Sequence, residues 1–175
     1  MVTTATNNVQ RSTVAHADRA HWRIYGHCPR PEKNQMTITE EKRDLFKVDE
    51  SYNLAHCIAS DLGMGAGIAV EMQQRFKLRS AIRKAGKPLK SPTCVHTGRV
   101  FNLITKRRST GKPTYASLRA SLKKMKTIVV SQKVERIAMP CIGCGLDRLQ
   151  WGLVREIIEE VFGDLDVEIL ICIWR

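Results

Sequence analysis

Two short stretches of this chain carry glycines spaced so that backbone amides can approach an anion. The first reads Gly63-Met64-Gly65-Ala66-Gly67-Ile68-Ala69, the second Pro140-Cys141-Ile142-Gly143-Cys144-Gly145-Leu146-Asp147-Arg148; each follows an apolar run and precedes a helical pattern. Glycine lets the main chain come within hydrogen-bond reach of a phosphate, and the helix N-terminus behind it adds positive partial charge. Two such loops facing one another would flank a diphosphate. Neither is a Walker loop, since the Gly-Lys-Ser/Thr ending is absent, and the full dinucleotide-binding spacing fails as well. A Gly-rich turn between strand and helix also has a purely structural explanation.

Other residues in these stretches have reactive types. Cys141 and Cys144 form a Cys-x-x-Cys, which suits a redox dithiol, half a zinc site, or two thiols packing a tight loop. No second cysteine pair exists to complete a zinc site, and the neighbouring glycines argue for a loop rather than the helix start of a redox motif. Lys106 heads a Lys-Arg-Arg run at the end of an apolar segment. A lysine amine can attack an aldehyde to give a Schiff base that water later resolves, and a carboxylate such as Asp147 can shuttle protons for it. On type alone, Lys106 is equally one more charge in a basic run. Asp147 is equally a favourable charge ahead of a helix N-terminus.

These residues need a scaffold, and the pattern of apolar segments supplies one. Met36 to Thr39, Leu45 to Val48 and Leu54 to Ala59 read as strands; Ile68 to Ala85 reads as a helix. A Thr97-Gly98 turn joins segments at Thr93 to Val95 and Val100 to Thr105 as a hairpin. Pro113-Thr114 opens a helix with Leu118, Leu122, Met125, Ile128 and Val129 on one stripe. Arg136 to Met139 is a strand, Trp151 to Val161 an amphipathic helix, and Val167 to Trp174 a closing strand. Strands alternating with helices predict an α/β layered sheet, mixed because one pair is a hairpin. In such sheets ligands bind beyond the carboxyl ends of the strands, where both Gly-rich loops fall.

The length of 175 residues suits one domain with a tail. With 43% apolar and 26% charged residues, the composition is that of a globular protein and excludes collagen-like, coiled-coil and fully disordered chains. No apolar run approaches the roughly 18 residues of a membrane span, and residues 1–10 lack a signal-peptide core. The expectation is therefore a cytoplasmic or nuclear monomer with its cysteines reduced. Residues 1–35 have little aliphatic content and no period, so they read as a disordered leader, with the domain proper at 36–175. Their His16, His21, His27 and Cys28 lack the paired spacing of a zinc site. The leader is expected to be dispensable: its deletion should leave turnover and melting temperature nearly unchanged, and a large loss of either would show that it packs on the domain.

The net charge is +12, but no acidic residue lies between Glu71 and Glu135, a stretch carrying 17 Lys and Arg. The remainder of the chain is thus net acidic, and the middle third is expected to form a positive surface. Such a surface suits a polyanionic partner or serves only solubility. It lacks interleaved aromatics for stacking single-stranded bases.

Several of these blocks together resemble the macrodomain family: Leu54-Ala55-His56-Cys57-Ile58, Met64 to Ala69, Leu103-Ile104-Thr105-Lys106 with Lys112-Pro113-Thr114-Tyr115, Met139-Pro140, and Ile142 to Trp151. Within it, they resemble the branch of terminal ADP-ribose protein glycohydrolases and O-acyl-ADP-ribose deacylases, over about residues 37 to 173. The resemblance implies a three-layer α/β/α macrodomain with a mixed sheet and ADP-ribose or ADP-ribosylated proteins as ligands. It implies cleavage of ADP-ribosyl esters without a cofactor or metal; a non-catalytic ADP-ribose or poly(ADP-ribose) reader is the other reading. Position by position, it assigns Asp44 and Leu45 to the adenine end and Gly65, Ala66, Gly67, Ile68 and Ala69 to the distal ribose and diphosphate. Ile142, Gly143, Cys144, Gly145 and Leu146 become the second phosphate loop, and Lys106 with Asp147 the catalytic pair. The chain departs from the pattern at Arg43, where the family usually has glycine, and at Cys141, where the branch can carry a basic residue.

Overall fold

The computed structural model describes residues 35–173. The reading of residues 1–35 as a leader, apart from Gln35, and its zinc candidates lie outside the described residues. Six strands, β1 (Thr37–Glu41), β2 (Asn53–Ala59), β3 (Thr93–Thr97), β4 (Val100–Lys106), β5 (Arg136–Pro140) and β6 (Glu168–Cys172), form one sheet in the order β1-β6-β5-β2-β4-β3. All neighbours are parallel except β3 and β4, whose antiparallel pairing through the turn at Gly98 makes the sheet mixed, as expected.

Successive residues of each strand face opposite layers. Ala55, Phe101, Leu103, Ile137, Ile169 and Ile171 meet helices α3 (Tyr115–Gln132) and α4 (Trp151–Phe162) on one face. On the other, Leu54, Ile58, Val100, Ile104 and Leu170 meet α1 (Ile68–Phe76) and α2 (Leu78–Lys84). This is the three-layer α/β/α arrangement. Helix α3 begins where Pro113-Thr114 predicted, with a capping box in which the Thr114 hydroxyl accepts from Ser117 N and the Ser117 hydroxyl from Thr114 N.

Two sequence expectations are corrected. Leu45 to Val48 is no strand: the Asp44 carboxylate accepts from Phe46 N at 2.9 Å and starts a 3-10 turn over Leu45–Lys47. A side-chain bond to the nearby backbone outcompetes the strand propensity of Leu-Phe-Lys-Val. The helix expected from Ile68 to Ala85 is two helices. Lys77 takes the left-handed conformation (φ 50°) and donates its N–H to Gln73 O, and the Gln73 side chain accepts from Arg79 N. The predicted positive surface is also divided, because α1 and α2 hold their lysines and arginines on one face of the sheet and α3 holds its own on the other.

Buried within β2, His56 pairs with Asn102, its register partner on β4. The Asn102 amide donates to Val95 O and Thr97 Oγ1, so its oxygen accepts from His56 Nε2–H at 2.9 Å. Burial pushes the His56 pKa down to about 4 from 6.5. Between those values the unfolded chain takes up a proton that the native one refuses, so stability falls as pH drops through 6.5 toward 4. Unfolding by urea at pH 7 and pH 5 should show a loss of about 2 kcal/mol that His56→Gln lacks. An identical pH slope in both proteins would exclude a neutral His56.

Candidate active site

The carboxyl ends of β2, β4 and β5, adjacent in the sheet, release three loops on one side of the molecule. Together with the 3-10 turn they enclose a cleft of about 1250 Å³. Every residue assigned to a site from the sequence lines it: Asp44 and Leu45 toward the 3-10 turn, Gly65 to Ala69 on one wall, Ile142 to Leu146 on another, with Lys106 and Asp147. Arg43 does not; it turns toward Glu41 at 3.4 Å on the exposed side.

Lys106 reaches the cleft because β4 is irregular where it ends. Ile58 stands opposite Ile104 but Ala59 opposite Lys106, so Thr105 is the extra residue of a bulge. A bulge re-aims the strand beyond it. Lys106 Nζ then donates to Asp147 Oδ1 at 2.5 Å, with the two side chains 15% and 13% exposed. A partly buried amine and carboxylate are thus in direct contact at the junction of three loops.

The two glycine loops are built differently from one another. In the first, Leu62, Met64 and Gly67 take positive φ, α1 follows Gly67 without a side-chain cap, and Gly67, Ile68 and Ala69 line the cleft. Arg79 of α2 braces this loop by donating to Leu62 O at 2.9 Å and to Gly63 O. In the second, Cys144 N donates to Cys141 O, Arg148 N to Gly145 O and Leu149 N to Gly143 O. Leu146 projects toward Gly67: a Cβ placed on Gly67 would lie 3.5 Å from Leu146 Cδ1, so the two loops nearly touch across the cleft.

The third loop, residues 107–114, and the first residue of α3 hold side chains that the sequence did not assign to the site. Lys112 donates to Leu146 O, and Tyr115 OH accepts from Gln150 N at 3.0 Å. The block Lys112-Pro113-Thr114-Tyr115 thus clamps the second glycine loop on either side of Asp147. Asp61 accepts from Ser109 N at 2.7 Å and from the Ser109 hydroxyl at 3.0 Å, tying the third loop to the first. The Lys-Pro-Thr-Tyr string was a visible signal, but its bonds join residues over 30 positions apart and are not legible in one dimension.

The Cys-x-x-Cys packs the loop. Cys144 Sγ donates to Ile142 O, and burial raises the Cys141 thiol and pushes Cys144 up to about 11. Cys57, beside the ion pair, is pushed by burial up to about 12, with the Asp147 carboxylate adding to the effect. Protonated thiols of this kind are poor nucleophiles and metal ligands. Among the described residues, no group of three His, Cys, Asp or Glu side chains could hold a metal ion.

A layered sheet with a deep cleft between glycine loops defines a nucleotide-binding α/β domain. Residues 51–158 match the model of the Macro domain family, and the chain belongs to that family. It is 41% identical over 145 residues to the ADP-ribose glycohydrolase OARD1 of Bos taurus, covering 82% of this chain and 95% of that protein. The human protein of the same name is 43% identical over 136 residues, 77% of this chain and 90% of its own. Among solved structures, the macrodomain of Thermus aquaticus DarG superposes with a TM-score of 0.67 at 19% identity, over 78% of this chain and 98% of that one.

Proposed function

We propose that the protein is a hydrolase that binds ADP-ribose and cleaves ADP-ribosyl esters, both those on glutamate or aspartate of proteins and O-acyl-ADP-ribose, so reversing ADP-ribosylation. The observation that carries this reading is the Lys106–Asp147 contact of 2.5 Å inside the cleft. A protein that only read ADP-ribose would need both glycine loops but no such pair. Relatives above 40% identity that bear the name ADP-ribose glycohydrolase support the same conclusion.

The ligand fits with adenine near Asp44 and Leu45, the diphosphate between Gly65 to Ala69 and Ile142 to Leu146, and the distal ribose at Lys106. Asp147 takes the proton from the Lys106 ammonium. On a glutamate or aspartate ester at the anomeric carbon, the freed amine forms a bond to that carbon as its bond to the ester oxygen breaks, and the carboxylate of the substrate leaves. Opening of the ribose ring, with a proton returned to the ring oxygen, gives a Schiff base. Water adds to it, ADP-ribose departs and the lysine is restored. The test is release of ADP-ribose from a glutamate-modified protein, set beside calorimetric binding of ADP-ribose. Binding without release would make the protein a reader.

A single chain is the acting unit in this reading, its own residues lining the cleft. Its basic residues strengthen association with polyanions such as poly(ADP-ribose). ADP-ribose itself carries few charges, so its affinity should fall mildly between 50 and 200 mM salt (roughly the span over which polyanion contacts weaken), whereas binding of the polymer should fall steeply. Equal slopes in a salt titration of both ligands would contradict this division.

A further inference from the structure

Each member of the ion pair is followed in the chain by exposed arginine: Lys106 by Arg107 and Arg108, Asp147 by Arg148. None of the three lines the cleft, and none forms an ion pair among the described residues, whereas Arg43, Arg75, Arg119, Arg136 and Arg155 each hold a carboxylate. Their backbones are fixed. Ser60 N donates to Lys106 O and Gly111 N to Arg108 O, both at 2.9 Å; Arg148 N donates to Gly145 O at 3.1 Å. Arg148 also takes φ +60°, a conformation that costs a non-glycine residue free energy and is held only where the surroundings impose it.

These three arginines are exposed and lie one or two residues along the chain from Lys106 and Asp147, which line the cleft. If ADP-ribose fills the cleft, what lies beyond the ion pair is the leaving group. We infer that Arg107, Arg108 and Arg148 form a docking rim for the polypeptide that carries the modified glutamate, and that its fitting substrates are ADP-ribosyl glutamates set among further Asp and Glu residues. The inference rests on the hydrolase reading above and narrows its substrate class. Guanidinium forks match carboxylates bidentately and keep their charge at every relevant pH. Each exposed pair is weak alone, but three cations close to the ion pair in the chain together raise the local concentration of an acidic chain. An acidic peptide fits better than a nucleic acid, because residues 107–112 and 145–148 contain no aromatic side chain on which a base could stack.

Two synthetic peptides, each with one ADP-ribosyl glutamate, separate the possibilities: one flanked by Asp and Glu, the other by Ser and Gly. O-acetyl-ADP-ribose, which has no flanks, reports on the chemistry alone. At low salt the native protein should process the acidic peptide with a kcat/KM about 10-fold above the neutral one, a preference that shrinks with salt. The variant R107Q/R108Q/R148Q should lose the preference while hydrolysing O-acetyl-ADP-ribose at a rate within about twofold of native, which also shows that it folds. Should the triple variant fail on O-acetyl-ADP-ribose, R107Q/R108Q, which leaves the left-handed Arg148 untouched, takes its place and should lose most of the preference.

Equal kcat/KM for the two peptides in the native protein, with O-acetyl-ADP-ribose turned over, overturns the rim and leaves the hydrolase reading standing. A preference that survives in R107Q/R108Q/R148Q also overturns it. So does a variant whose loss is confined to single-stranded RNA binding, since the rim would then serve nucleic acid. Absence of turnover on all three substrates overturns the hydrolase reading and the rim with it.

Discussion

Lys106→Ala is expected to slow ADP-ribosyl ester hydrolysis by about a thousandfold or more while ADP-ribose still binds, and Asp147→Ala to do the same. The two effects should not add, because the amine and the carboxylate act on one proton and one carbon and are already in contact at 2.5 Å. Borohydride added during turnover should trap ADP-ribose covalently on the native protein and not on Lys106→Ala, since only a lysine adduct at the anomeric carbon offers a C=N bond to reduce. Binding survives in this scheme because the diphosphate contacts lie on the glycine loops, away from the amine. Single-turnover assays, calorimetry and mass spectrometry of the trapped protein are the measurements. Near-native turnover in Lys106→Ala would sink the Schiff-base route, and near-native turnover in both variants would place the chemistry elsewhere in the cleft.

Gly145→Val should weaken ADP-ribose binding by at least about 100-fold and leave the melting temperature within a few degrees of native. Gly145 lines the cleft, and a Cβ there meets nothing within 4 Å, so the added side chain meets open space rather than protein atoms. A branched side chain at that point keeps the diphosphate from the loop amides. Gly143 makes a poorer probe. Its φ is +72° and a Cβ would lie 2.9 Å from Leu149 Cδ1, so Gly143→Val costs folding free energy as well as binding. Undiminished affinity of Gly145→Val in calorimetry would move the phosphate site away from this loop.

Local regularities carried far in this protein. The apolar runs at Leu54 to Ala59 and Val100 to Thr105, the Gly98 turn and the Pro-Thr helix start are each decided by neighbours within a few positions, and β2, β4, the hairpin and α3 lie where they indicate. The same reasoning failed where one side chain intervened. The Asp44 carboxylate turned a strand-like Leu-Phe-Lys-Val into a 3-10 turn, and Lys77 broke a helical stretch that no glycine or proline marks.

The candidate site divides along the same line. Residue types and spacing determined that two glycine loops would end strands and precede helices, and the motif blocks singled out Lys106 and Asp147 as partners 41 residues apart. Only the tertiary structure decided that they touch. That contact needs the parallel neighbours β2, β4 and β5 to end on one side, the bulge at Thr105 to turn the lysine, and Lys112 and Tyr115 to hold the second loop around Asp147. Each of these depends on register between strands or on bonds between distant loops. Sequence periodicity specifies which face a residue takes within its own element, but not how far one strand slides along the next.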